Sequence, residues 1–171
     1  LEGDALPTEF MIFAPGEIET TKGTDIFDAE AARSVLAHYA AEGVDLPVDL
    51  EHDSLLGAGM RADEKDARGW FKLELRSDGS LWAVDVKWTP DGERRLREKT
   101  QRYISPAFTR DTETGRITRL LNVAIVSMPA THDAAPLVAA SRAHTPGKSA
   151  LFAVVASKAL AICKKRAKLE K

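Results

Sequence analysis

Residues 69–88 read GWFKLELR, then Ser77-Asp78-Gly79-Ser80, then LWAVDVKW. Two stretches of alternating apolar and polar residues joined by a tight polar turn predict a β-hairpin, and a hairpin needs a further layer to cover its apolar face. The rest of the chain supplies more of the same material. Residues 9–14 (EFMIFA) predict a strand with Phe10 and Ile12 on one face, stopped by Pro15-Gly16. Asp28 to Glu42 predicts a helix with Asp28 as its cap, a stripe of Val35, Leu36 and Tyr39, and Gly43 where a terminating glycine belongs. Pro47 to His52 predicts a short strand on which Val48, Leu50 and His52 share a face. Residues 53–68 predict a long loop, of the kind that is functional or disordered.

Thr89-Pro90 reads as the cap and first residue of a short helix running to about Lys99. Residues 101–109 predict a strand broken at Pro106, Asp111 to Gly115 a turn, and residues 116–128 a long strand ended by Pro129. Strands without a regular βα alternation argue against a doubly wound sheet. The expectation is a mainly β chain, α+β by content: an antiparallel β-barrel with flanking helices. The composition shifts near Ser141, and His144 to Lys148 reads as a linker. That predicts a domain over 1–143 and, over 144–171, a linker with a helical tail carrying Leu151, Val154, Val155, Ala159 and Ile162 on its apolar stripe.

The 171 residues are 44% apolar and 29% charged, the profile of a globular protein with a real core. Lys plus Arg number 24 against 26 Asp plus Glu, so no basic excess calls for a nucleic-acid partner. A single cysteine, Cys163, excludes a disulfide framework and a cysteine-based zinc site, and no cofactor is expected. No apolar run is long enough for a membrane span, and Glu2 and Asp4 stand where a secretory leader would carry positive charge.

Two residues stand out chemically. His52 ends an apolar-faced strand between Glu51 and Asp53, and Ser105 precedes Pro106 within an apolar strand. Proline interrupts a strand ladder and presents its neighbours, although Ser-Pro is most often a turn device. A nucleophilic serine needs a base within hydrogen-bond reach and a third group to orient that base. A metal site centred on His52, Asp49 and Asp53 is the weaker alternative, because no further histidine stands at ligand spacing. His38, beside Tyr39 in the first helix, reads as a surface or half-buried helix residue, and His144, in the linker, as a solvated one. No G-x-S-x-G elbow exists, which removes an α/β-hydrolase.

The ordered set PVDLEHDS (47–54), RYISPAF (102–108) and LLNVAIVSMPA (120–130) resembles the Mu-like prophage I protein family of phage head-maturation proteases, over roughly residues 8–140. More distantly it is similar to the prohead proteases of other tailed phages and to herpesvirus assemblin. The resemblance implies a barrel fold and a serine protease with Ser105 as nucleophile and His52 as base. The third member implied is Asn122, with Asp49, Glu51, Asp53, His132 and Asp133 as alternatives. Assemblin carries a Gly-Arg-Arg element that helps build its oxyanion hole. The matching Pro129-Ala130-Thr131 has no arginine, leaving backbone N–H groups near Ser105 or in 127–131 as expected donors.

The resemblance also implies substrates and setting: the phage scaffold protein, the major capsid protein and the protease itself, inside an immature head in the host cytoplasm. It implies a homodimer or higher oligomer as well. The stretches Val138-Ala139-Ala140-Ser141 and Val155-Ala156-Ser157 are candidate self-cleavage sites, and the tail resembles scaffold. A non-catalytic assembly module of the phage head, with Ser105 and His52 merely structural, is the competing reading.

Overall fold

In the computed structural model, which describes residues 5–55, 66–131, 134, 136 and 137, the hairpin that dominates the sequence is β5 (Gly69–Leu75) with β6 (Leu81–Trp88). Its apolar face carries Phe71, Leu81 and Ala83, all fully buried. β1 (Phe10–Phe13) adds to the outer side of β6, antiparallel, and β4 (Leu46–Leu50) adds to β5, also antiparallel. The remaining strands of this sheet are β7 (Tyr103–Arg110) and β8 (Ile117–Val126), giving the order β1-β6-β5-β4-β8-β7.

The sheet curls until it is nearly closed. Phe13 of β1 meets Phe108 of β7 edge to face, with ring centroids 5.4 Å apart, so the two terminal strands approach through their aromatic side chains. Phe13 also packs on Phe27 at 5.0 Å. Each fully buried side chain of this size contributes about 1.5–3 kcal/mol by leaving water.

One expectation is corrected here. The sheet is mixed, because β4 and β8 run parallel, with Val48 opposite Val123 and Leu50 opposite Ile125. A parallel partner must come from a distant crossover, so neither strand's own pattern announces it. A second correction concerns Pro106: β7 runs through it unbroken, with Pro106 opposite Val123. β7 is an edge strand, where a missing N–H leaves no neighbour unsatisfied.

β2 (Gly16–Thr20) and β3 (Gly23–Phe27) form a separate hairpin that the sequence reading did not anticipate, since Thr21-Lys22 lacks the usual Asn-Gly or Asp-Gly signature. α1 (Ala29–Glu42) begins and ends as predicted. The Asp28 carboxylate accepts the N–H groups of Glu30 and Ala31, and Gly43 takes the left-handed conformation at φ 65°. Its buried face is Ala31, Ala32 and Val35, with Leu36 and Tyr39 half-buried beside the core. Small side chains let this helix approach the sheet closely. α2 (Pro90–Glu98) opens on Thr89 with Pro90 in its first turn, also as predicted. Among the described residues no helix is long and apolar enough to cross a membrane. The tail over 144–171, His144 and the candidate self-cleavage stretches lie outside the described residues.

Candidate active site

Alternation along β4 sends Val48 and Leu50 toward the hydrophobic core and Asp49 to the other face of the sheet. On β7 the same logic points Ile104 and Phe108 at the core and Ser105 away from it. On β8, Val123 and Ile125 face the core, while Asn122 and Ala124 share the outer face with Ser105 and Asp49. Ser105 is paired directly with Ala124. A bulge between Ala107 and Phe108 shifts the register, so Leu120 returns to the core although Asn122 does not. The polar cluster therefore sits on the face of the sheet opposite the hydrophobic core.

A regular continuation of β4 would send His52 to the core face, as the sequence reading expected. The structure corrects this. The Glu51 N–H still bonds the Ile125 carbonyl at 3.2 Å, but Glu51 (φ 50°) and His52 (φ 64°) both adopt the left-handed conformation. The chain then turns into a 3-10 segment, Asp53–Leu55, closed by the Leu55 N–H on the His52 carbonyl at 3.0 Å. Two consecutive left-handed residues that are not glycine cost about 1–3 kcal/mol each. The result is that the imidazole swings to the outer face.

There the ring is held at both nitrogens. The Ser105 Oγ lies 3.1 Å from Nε2, and the Asn122 Oδ1 lies 3.0 Å from Nδ1. Asn122 is 1% exposed and spends its amide on two acceptors, Asp49 Oδ2 and Ser54 Oγ, each at 3.1 Å. The Ser54 hydroxyl and its N–H both donate to Asp49 Oδ2, at 2.7 and 2.9 Å. Ser105 is itself largely buried. Hydrogen bonds in such a water-poor place are stronger than on the surface.

The structure thus brings together Ser105, His52 and Asn122. Of the alternatives for the third position, Asp49 lies behind Asn122 rather than on the ring. Glu51 turns its carboxylate to the Ser127 N–H at 2.8 Å. That occupies one of the N–H groups expected to serve an oxyanion. Asp53 begins the 3-10 segment, and the ring nitrogens of His52 are already engaged by other residues. His132 and Asp133 lie outside the described residues. Among the described residues no group of three or more histidine, cysteine and acidic residues forms a metal-binding cluster. His38 is exposed and its Nδ1 contacts the Ser34 carbonyl one helical turn back. Ser54 was not singled out in the sequence, since a serine after a charged stretch carries no pattern of its own.

The family model for the Mu-like prophage I protein, N-terminal domain, matches residues 10–138. The chain belongs to the Mu-like prophage I protein family. Protease I of Escherichia phage Mu is 26% identical to this family member over 106 residues, which are 60% of this chain and 29% of the phage protein. The chain therefore spans less than a third of that relative's length. No solved structure matches this Mu-like prophage I domain.

Proposed function

We propose that this Mu-like prophage I domain is a serine endopeptidase that acts in phage head maturation, with Ser105 as nucleophile, His52 as general base and Asn122 as the residue orienting the imidazole. The observation that carries this reading is the continuous contact from Ser105 Oγ to His52 Nε2 and from His52 Nδ1 to Asn122 Oδ1. It is the nucleophile–base–orienter arrangement that acyl transfer requires. The name of the phage Mu relative, Protease I, supports the same reaction class.

With a peptide carbonyl against Ser105, the hydroxyl proton passes to His52 Nε2 as the Oγ–C bond forms. The tetrahedral intermediate collapses when the C–N bond breaks, and the Nε2 proton goes to the leaving amine. His52 then takes a proton from water, whose oxygen attacks the acyl carbon, and Ser105 Oγ leaves with that proton. Throughout, Asn122 Oδ1 holds the Nδ1–H and with it the ring orientation. Asn122 brings no charge of its own to the imidazolium that forms.

The substrates in this reading are scaffold protein, major capsid protein and the chain itself, within the immature head, where local concentration favours self-association. The test is co-expression with the cognate scaffold. The native chain shortens the scaffold, and Ser105→Ala leaves it full length. Mass spectrometry after treatment with a phosphonofluoridate places the adduct on Ser105. Unchanged processing by Ser105→Ala would remove Ser105 as the nucleophile, and scaffold left full length by the native chain would favour the assembly-module reading.

A further inference from the structure

We infer that Asp49 is a positioning residue that fixes the direction of the Asn122 amide and, through it, the tautomer of His52. This rests on the peptidase reading and extends it by one residue. Asp49 is 2% exposed, yet its carboxylate is satisfied: Leu50 N–H reaches Oδ1 at 2.7 Å, while Ser54 N–H, Ser54 Oγ–H and Asn122 Nδ2–H converge on Oδ2.

The directions of these bonds leave no freedom. A carboxylate accepts only, so the side of Asn122 facing Asp49 must be its NH2 group. The Ser54 hydroxyl has one proton and gives it to Asp49, so it can only accept from Asn122. Both amide hydrogens are then spent. An amide turned the other way would set Oδ1 against the carboxylate, two acceptors about 3 Å apart with no proton between them. Asn122 Oδ1 is therefore the atom presented to His52. An oxygen facing Nδ1 requires the proton on Nδ1, which leaves Nε2 with a lone pair toward Ser105. A neutral amide alone does not choose between its two faces; the carboxylate behind it does. Asp49 also sets a negative charge one amide away from the ring, where Asn122 brings none.

The test uses the full chain with 15N-labelled histidine, reading the His52 ring by NMR and cleavage of scaffold by kinetics. In the native protein, His52 shows a single tautomer protonated at Nδ1. Asp49→Asn can present an amide in either direction, so it gives a mixture of tautomers and a kcat lower by about 10- to 100-fold, with KM changed less than about twofold. The exchange Asp49→Asn with Asn122→Asp moves the carboxylate onto the ring and restores the single tautomer and most of kcat. A merely structural Asp49 would not produce that rescue. Should Asp49→Asn fail to fold, Ser54→Ala tests the same claim from the other side: the Asp49 carboxylate still faces the Asn122 NH2 group, so the single Nδ1–H tautomer persists. A pure Nδ1–H tautomer and native kcat in Asp49→Asn, or mixed tautomers in Ser54→Ala, would overturn the inference. Retained cleavage by Ser105→Ala removes Ser105 as the nucleophile instead, and the ring signals still report on Asp49.

Discussion

Val48 lies directly beside Val123 in parallel register, and both are fully buried against the core. The neighbours of this pair, Asp49 and Asn122, consequently share the opposite face and meet there through a hydrogen bond of 3.1 Å. The apolar register thus sets the geometry of the polar site. Asn122→Ala tests the link. It removes the Oδ1 that contacts His52 Nδ1 while leaving Val123 and Ile125 in place. Scaffold cleavage is expected to fall by about 10²- to 10⁴-fold in kcat, with the melting temperature changed far less. An activity near native would mean the imidazole is oriented from elsewhere.

Phe13 joins the two terminal strands through its contact with Phe108 and also covers Phe27. It is 2% exposed. Phe13→Ala leaves a cavity where the sheet closes, and unfolding in urea should show a loss of about 3–5 kcal/mol. A loss below about 1 kcal/mol would show that the edges hold together without this ring.

Gly92 offers a change of sign. In the interior of an ordinary helix, Gly→Ala stabilises by about 1 kcal/mol. A Cβ on Gly92 would stand 2.0 Å from the Arg68 carbonyl oxygen, a backbone atom that cannot simply rotate away. Gly92→Ala is therefore expected to destabilise, by about 1–3 kcal/mol, as measured by denaturant midpoint. Stabilisation would show that the segment carrying Arg68 yields easily.

Asp28 gives a pH dependence. The Ala31 N–H, then the Arg116 guanidinium, hold its carboxyl below the ordinary aspartate value of 3.8. A group whose folded value is depressed stabilises above its unfolded value and loses that stabilisation as pH falls through the folded value. The melting temperatures of the native protein and Asp28→Asn should differ fully near about pH 7 and converge as pH drops below about 4. A constant difference across that range would show that the charge on Asp28 contributes nothing.

Much of this was legible in the residues. The turn at Ser77 to Ser80, the caps Asp28 and Thr89, the stop at Gly43 and the long strand before Pro129 are signals that act over a few residues, and each appears where the sequence places it. The β2–β3 hairpin was not legible, because Thr21-Lys22 has no turn signature and its strands are too polar to mark a core face. His52 and Ser105 stand out locally, but only the order of three motifs joins them to each other and to Asn122.

Apart from the β2–β3 hairpin, the sequence by itself determined which segments are strands and helices, because alternation, caps and turn residues are properties of neighbours along the chain. Only the tertiary structure decided that β4 and β8 lie side by side in parallel, since that contact costs loop closure and is stabilised by core burial rather than by local preference. It also decided that Glu51 and His52 turn left-handed and carry the imidazole off the core face to Ser105. Local preference opposes that turn, and the bonds to Ile125, Asn122 and Ser105 that hold it exist only once the sheet has formed.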